Sequence, residues 1–157
     1  SVLGDWYMDC FSGESVKKRI KRAKKLAERH PDHQESDRLV AAVLLFAGNA
    51  AEARDYLKRA MAKTETRSLC ELMAEVERIA PDGSQQLAEQ WQERAQQAVP
   101  DPDWQCNQCL HVLTEWRVNC PHCDGIDSIE WGFLKEQRET SRHDGGFFTV
   151  QDIRKIK

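Results

Sequence analysis

The stretch Leu39-Val40-Ala41-Ala42-Val43-Leu44-Leu45-Phe46-Ala47-Gly48-Asn49-Ala50-Ala51-Glu52-Ala53-Arg54-Asp55-Tyr56-Leu57-Lys58-Arg59-Ala60-Met61 decides how this chain folds. Its first part, 39–47, is the longest apolar run, yet it falls well short of the roughly 20 residues that cross a bilayer. It reads as a buried helix from about Glu35 to Ala47. Gly48-Asn49 is a tight stop, because glycine enters the left-handed region at no steric cost. A third helix then begins near Ala50, and Ala53, Tyr56, Leu57, Ala60 and Met61 give it an apolar face at helical spacing. The result is a helix–turn–helix unit.

Reading outward, Ser15 is a candidate cap for a helix whose stripe is Val16, Ile20, Ala23, Leu26 and Ala27. That helix is expected to end at His30-Pro31, since the residue before proline avoids the helical region. A fourth helix runs from about Glu65 to Ile79 on Leu69, Leu72, Met73 and Val76. Pro81-Asp82-Gly83 breaks it, and Ser84 caps a fifth with Leu87, Ala88, Trp91, Ala95 and Ala98 inward. Trp6, Tyr7, Met8 and Phe11 are expected to end an earlier helix. The pair Ala53 and Ala60 recurs 35 residues later as Ala88 and Ala95, and Ile20 and Ala27 precede it by 33. Small residues seven apart let successive hairpins approach closely.

This period, the Gly48-Asn49 turn, the alanine pairs and the prolines Pro31 and Pro100 resemble the tetratricopeptide repeat. No proline follows Met61, and the early aromatic and glycine positions of that repeat are poorly met. The resemblance implies stacked helical hairpins over 1–99, with a generic antiparallel bundle as the alternative.

The text changes at Cys106-Asn107-Gln108-Cys109 and Cys120-Pro121-His122-Cys123, two C-x-x-C pairs ten residues apart. Each short turn sets two sulfurs on one side of a knuckle, and two knuckles supply the four sulfurs of tetrahedral thiolate coordination. Cys106, Cys109, Cys120 and Cys123, with no fifth ligand in register, predict a closed structural metal site. The competing pattern is two disulfides or four free thiols. Thiolates suit zinc and iron alike; zinc is the expectation and iron the alternative. His111 and His122 are substitute ligands that four cysteines leave unneeded. Cys120-Pro121 has the look of a haem-regulatory dipeptide, but it is more simply the opening of a knuckle. Trp104, Val112, Leu113, Trp116, Val118, Ile126, Ile129 and Trp131 alternate with polar residues, as short strands do. So small a module needs its ion, whose binding free energy becomes folding free energy.

Six cysteines would suit a secreted scaffold, but Cys10 and Cys70 stand alone. Lone cysteines beside thiolate ligands fit a reducing compartment. With 31% charged residues and a net charge of −3, composition names no partner class. Its distribution is more telling. Residues 1–30 carry eight basic and four acidic groups, against one and six over 101–134. An acidic metal module argues against nucleic-acid binding, which needs cations on phosphate. The basic helix 17–29 is expected to present a solvated face; anionic lipid, an acidic protein and nucleic acid are the contacts such a face could make, with lipid the next choice for a membrane-anchored parent. No nucleophile–base set or phosphate-binding glycine loop is present, and the lone cysteines lack basic neighbours that would activate them. The expectation is a protein that is not an enzyme.

The order of elements carries a further resemblance: helical hairpins, then Asp101-Pro102-Asp103-Trp104, the four cysteines, Glu115-Trp116, and Asp127-Ser128-Ile129-Glu130-Trp131. With His30-Pro31-Asp32-His33 and Ala53-Arg54, it resembles the C-terminal region of the bacterial HemY-type proteins, membrane-anchored tetratricopeptide proteins associated with haem biosynthesis. It is similar in architecture to LapB, an inner-membrane adaptor that controls lipopolysaccharide synthesis. The resemblance covers about 15–131. It implies a mainly α protein of three parts: tetratricopeptide-like repeats over 1–99, a rubredoxin-like four-cysteine zinc ribbon over 100–134, and a charged tail over 135–157. It implies a protein–protein interaction scaffold on the cytoplasmic face of the inner membrane, held by an upstream anchor, with a membrane-associated protein partner. A rubredoxin-like redox or haem-handling module is the alternative. Rubredoxin-type knuckles usually have glycine after each pair; Leu110 and Asp124 stand there instead. Leucine tolerates positive φ poorly, so the first knuckle is expected to be altered, at the expense of redox-tuned iron chemistry.

Overall fold

A computed structural model of the protein describes residues 13–135. The aromatic cluster at Trp6 to Phe11, Cys10 and the tail from 136 onward lie outside the described residues. The chain divides into two units between Asp101 and Pro102.

Among the described residues the first unit has five helices: α1 (Val16–Ala27), α2 (Gln34–Phe46), α3 (Ala50–Met61), α4 (Arg67–Ile79) and α5 (Gln85–Gln97). Each packs on its successor, and α2 also touches α4. Helix α1 ends three residues before His30-Pro31. The amides of Arg29 and His30 have already tightened to bonds with Leu26 O and Ala27 O, 3.1 and 3.0 Å, so the turn is made ahead of the proline. Ser15 occupies the N-cap position, but its hydroxyl makes no capping bond. Ser84 does cap α5, accepting from Leu87 N at 3.4 Å.

Between α2 and α3, the Gly48 amide bonds Leu45 O and the Asn49 amide bonds Leu44 O, both at 2.9 Å. Gly48 sits at φ 75°. This is the paired closure of a Schellman motif. Asn49 then starts the next helix, its Oδ1 accepting from Glu52 N at 3.4 Å. One residue therefore ends one helix and begins another. A Cβ at Gly48 would meet nothing within 4 Å, so Gly48→Ala carries only the left-handed penalty. It is expected to cost about 1 kcal/mol, read as a small fall in the urea midpoint with an unchanged slope.

The core holds Val40, Leu44, Leu57, Leu69 and Val76 with the alanines Ala53, Ala60 and Ala88, all fully buried. Phe46, expected inside α2, is 74% exposed. Two residues beyond Leu44 it has turned roughly 200° around the helix, and the Arg19 guanidinium lies over its ring at 5.8 Å. Ion pairs tie the helices together. Arg54 of α3 bridges Glu77 at 3.2 Å and Asp82 at 2.7 Å, and Arg59 holds Asp37 at 2.9 Å. The start of α4 is capped from a distance: Asp101 accepts from Ser68 N at 3.1 Å and from the Ser68 hydroxyl at 2.5 Å. Beside it, Arg67 N donates to Val99 O at 3.0 Å. The chain leaving α5 is thereby fastened to α4.

The second unit is a three-stranded antiparallel sheet, β1 (Asp103–Cys106), β2 (Val112–Leu113) and β3 (Ile129–Gly132), in the order β2-β1-β3. Trp104 stands opposite both Leu113 and Trp131. The two indoles meet edge to face with centroids 5.2 Å apart, an arrangement their quadrupoles favour. Cys106, Leu113, Cys120 and Ile129 form the small core. Trp116, Val118 and Ile126, expected in strands, are exposed. They lie in the connection from β2 to β3, bridged at Asn119 and Ile126, where no pleat turns alternate residues inward. No helix of the described residues is long and apolar enough to cross a membrane.

Candidate metal centre

Each cysteine pair is held by a small turn. Leu110 N donates to Cys106 O and Asp124 N to Cys120 O, both at 2.9 Å. The turns close through positive φ at Leu110 (60°) and Asp124 (57°). This corrects the expectation of an altered first knuckle: leucine adopts the left-handed conformation and the two knuckles match. The strain is offset locally, because Cys106 N also bonds His111 O at 2.9 Å and Gln105 Nε2 donates to Leu110 O at 3.1 Å.

The matched knuckles bring four sulfurs together. Cys106 Sγ lies 3.7 Å from Cys123 Sγ, and Cys109 Sγ lies 3.6 Å from Cys120 Sγ. All four lie within 4.8 Å of one another. These separations are far beyond an S–S bond of about 2.05 Å. They are close to the edge, about 3.8 Å, of a tetrahedron whose corners stand about 2.3 Å from a central ion. Among the described residues this is the cluster able to hold a metal. The donor set therefore fits a tetrahedral thiolate-bound ion.

The metal-free thiols show how the site is tuned. The Ser128 hydroxyl and the amides of Cys109 and Gln108 lower Cys106 to about 6. The His111 amide pulls Cys109 down, but burial and the neighbouring sulfurs outweigh it and push Cys109 up to about 12. Cys123 is also raised, since burial and the Cys106 and Cys120 sulfurs overcome the Gly125 amide and Cys109. Cys106 thus ionises near neutrality, and an arriving ion displaces the protons of the raised thiols Cys109 and Cys123 into solvent. Uptake releases protons, and loading is expected to fall as pH falls, measurable by ion release during an acid titration.

Ser128 is the residue that sequence reasoning left unassigned. It is 1% exposed, its hydroxyl 3.4 Å from Cys106 Sγ and 2.8 Å from Gly125 O. Its carbonyl accepts from Asn107 N at 2.7 Å. The hydroxyl donates to Gly125 O and accepts from the Cys106 thiol. Gly125 makes room for this: a Cβ there would stand 2.5 Å from Gln108 Oε1 and 2.9 Å from Ser128 Oγ. Ser128→Ala is expected to weaken ion retention by about 10- to 100-fold, measured by competition with a chelator.

His111 and His122 take no part in the four-sulfur cluster. Their exposed rings stack on each other, 5.1 Å between centroids and 12° from parallel. Cys70 is fully buried in α4, and burial and Glu65 push its thiol up to about 11, which makes it inert rather than nucleophilic.

The first unit contains a second feature, a groove of about 510 Å³ running across α3, α4 and α5. Met61, Met73, Leu87 and Trp91 line it, together with the basic Arg54 and Lys58 and the acidic Glu65, Glu77 and Asp82. Leu87, expected inward, is 44% exposed there. Arg94 holds the neighbouring Trp91, its guanidinium 4.9 Å from the indole and bonded to Glu65 at 2.5 and 2.6 Å.

Fold and site together define a mainly helical protein that carries a small sheet with a four-cysteine candidate metal site. A comparison with protein-family models finds no match. Over 115 residues, 73% of the chain, it is 35% identical to the probable magnetosome protein Mms48 of Magnetospirillum gryphiswaldense. The chain spans 25% of the length of that relative.

Proposed function

We propose that this protein is a non-enzymatic interaction scaffold: tetratricopeptide-like hairpins that take a protein segment in the α3–α5 groove, and a rubredoxin-like ribbon stabilised by structural zinc. The observation that carries the reading is the closure of the metal site. Four thiolates complete a tetrahedron and leave no open position at which an ion would act on substrate. Recognition then falls to the groove, whose exposed Leu87 and half-buried Trp91 suit an apolar side chain. Mms48 is described as a probable magnetosome protein, a name that carries no chemistry, so this reading rests on the chain's own residues. The HemY-type and LapB resemblances supply its setting: the cytoplasmic face of an inner membrane, with a membrane-associated biosynthetic or quality-control protein as partner.

Elemental analysis and a visible spectrum of protein purified without added metal are the first test. One zinc per chain and no colour are expected. Crosslinking in native membranes is the second, with Leu87→Glu/Trp91→Ala as the comparison; a partner captured equally by both forms would overturn the groove assignment. The matched knuckles favour one other reading, a rubredoxin-like iron centre, because backbone amides point at Cys106, Cys109 and Cys123 and such bonds tune a redox potential. Bound iron whose colour bleaches and returns on reduction and reoxidation would establish it.

A further inference from the structure

Helix α1 carries a charge pattern that neither the groove nor the metal site uses. At 100° per residue, Lys17, Lys21, Lys25 and Lys18 follow one another across an arc of about 100°, and Arg29 stands in the turn just past the helix, next to the exposed Glu28. The buried Ala23 lies opposite. All five are exposed. Two other cations of the helix are engaged, Arg22 with Glu14 and Lys24 with Glu52. The five have no such ion pair among the described residues. A shallow cleft of about 390 Å³ is lined by Lys18, Lys21, Lys25, Leu26 and Arg29 and by the paired Glu14 and Arg22. Beyond Lys18 the helix surface continues through Leu26 to Arg19, and over Arg19 lies the ring of Phe46. Among the described residues this basic face, about 12 Å from Lys17 to Lys25 along the helix, carries no ion pair, and the exposed Phe46 stands farther round α1, beside Arg19.

We propose that this face of α1 docks on the surface of an anionic lipid bilayer. The lysines and Arg29 lie against headgroup phosphates, and Phe46 enters the interface at the edge of the contact. Shape and side-chain choice favour lipid over a nucleic acid. The surface is a convex helix and four of the five cations are lysines, compact point charges suited to a diffuse anionic layer rather than to bidentate readout. An exposed aromatic gains from burial at a lipid interface, a gain that a phosphate backbone does not offer. The chain as a whole is acidic, with a net charge of −3, so a wrapping polyanion would be repelled elsewhere. The proposal uses neither groove nor zinc and is independent of the scaffold reading.

The test is sedimentation of the 157-residue chain with vesicles of phosphatidylglycerol and phosphatidylcholine, against vesicles of phosphatidylcholine alone. Binding is expected only to the anionic vesicles, weakening as salt is raised. Lys18→Glu/Lys21→Glu/Lys25→Glu is expected to lower affinity on the order of a hundredfold or more, since each lysine near such a surface contributes about fivefold. Lys18→Gln/Lys21→Gln/Lys25→Gln, a milder change, lowers it in the same direction. Circular dichroism confirms that the helices persist. Phe46→Ser weakens binding several-fold without touching the charge. The proposal is overturned by no binding to anionic vesicles, equal binding to neutral ones, a folded triple variant that binds like the parent, or tighter binding to duplex DNA at the same salt.

Discussion

Cys106→Ser is expected to abolish ion retention and unfold residues 103–132, while the helical far-ultraviolet signal stays nearly intact. The second unit has a core of Cys106, Leu113, Cys120 and Ile129 with Trp104 and Cys109 beside it, too small to oppose the conformational entropy of its chain. A structural ion in so small a module contributes about 10–16 kcal/mol in peptide systems, more than such a core supplies. Serine in place of a fully buried thiolate ligand offers a hydroxyl that does not ionise near neutral pH, and the remaining three sulfurs lose the tetrahedron. The helices have their own core, distinct from this one. Tryptophan fluorescence should report the loss, because Trp104 and Trp131 meet edge to face only while β1 and β3 are paired. A collapse of the helical signal in the same variant would show that the two units fold as one.

Leu57→Ala is expected to do the reverse: to lower the stability of the helices by about 2–5 kcal/mol and leave ion binding unchanged. Leu57 is fully buried in α3, between the alanines Ala53 and Ala60 that let neighbouring helices come close. Denaturant unfolding followed at 222 nm measures it, and a chelator competition on the same protein checks the metal site. A cost below about 1 kcal/mol would mean that the helices collapse into the space and that α3 is less rigidly held than its burial implies.

Much of this architecture was legible before any coordinates. Gly48-Asn49 marked the sharpest turn because only a few residues accept positive φ cheaply, and the structure sets Gly48 at φ 75°. The alanine pairs marked close approach because nothing larger fits, and Ala53, Ala60 and Ala88 are fully buried. The four cysteines marked a cluster by spacing alone. Other features were not legible, each for a physical reason. Leu110 was expected to distort its knuckle, yet the bonds around it sustain the strained φ, a compensation no single-residue preference contains. Phe46 continued an apolar run in the text but falls on the outer side of α2. Ser128 reaches Cys106 across a sheet, from 22 positions away, and the Asp101 cap reaches Ser68 across 33.

By itself, then, the sequence determined what is local or nearly periodic: the helices, their turns, the small-residue contacts and the identity of the four sulfur donors. These follow from backbone preference and side-chain spacing, which act over a few residues. Only the tertiary structure decided which sulfurs face each other, which serine supports them, which apolar side chains line an open groove rather than the core, and which distant carboxylates the cations of α1 meet. Those depend on where distant segments meet, and a contact between distant residues leaves no mark in the local pattern of either one.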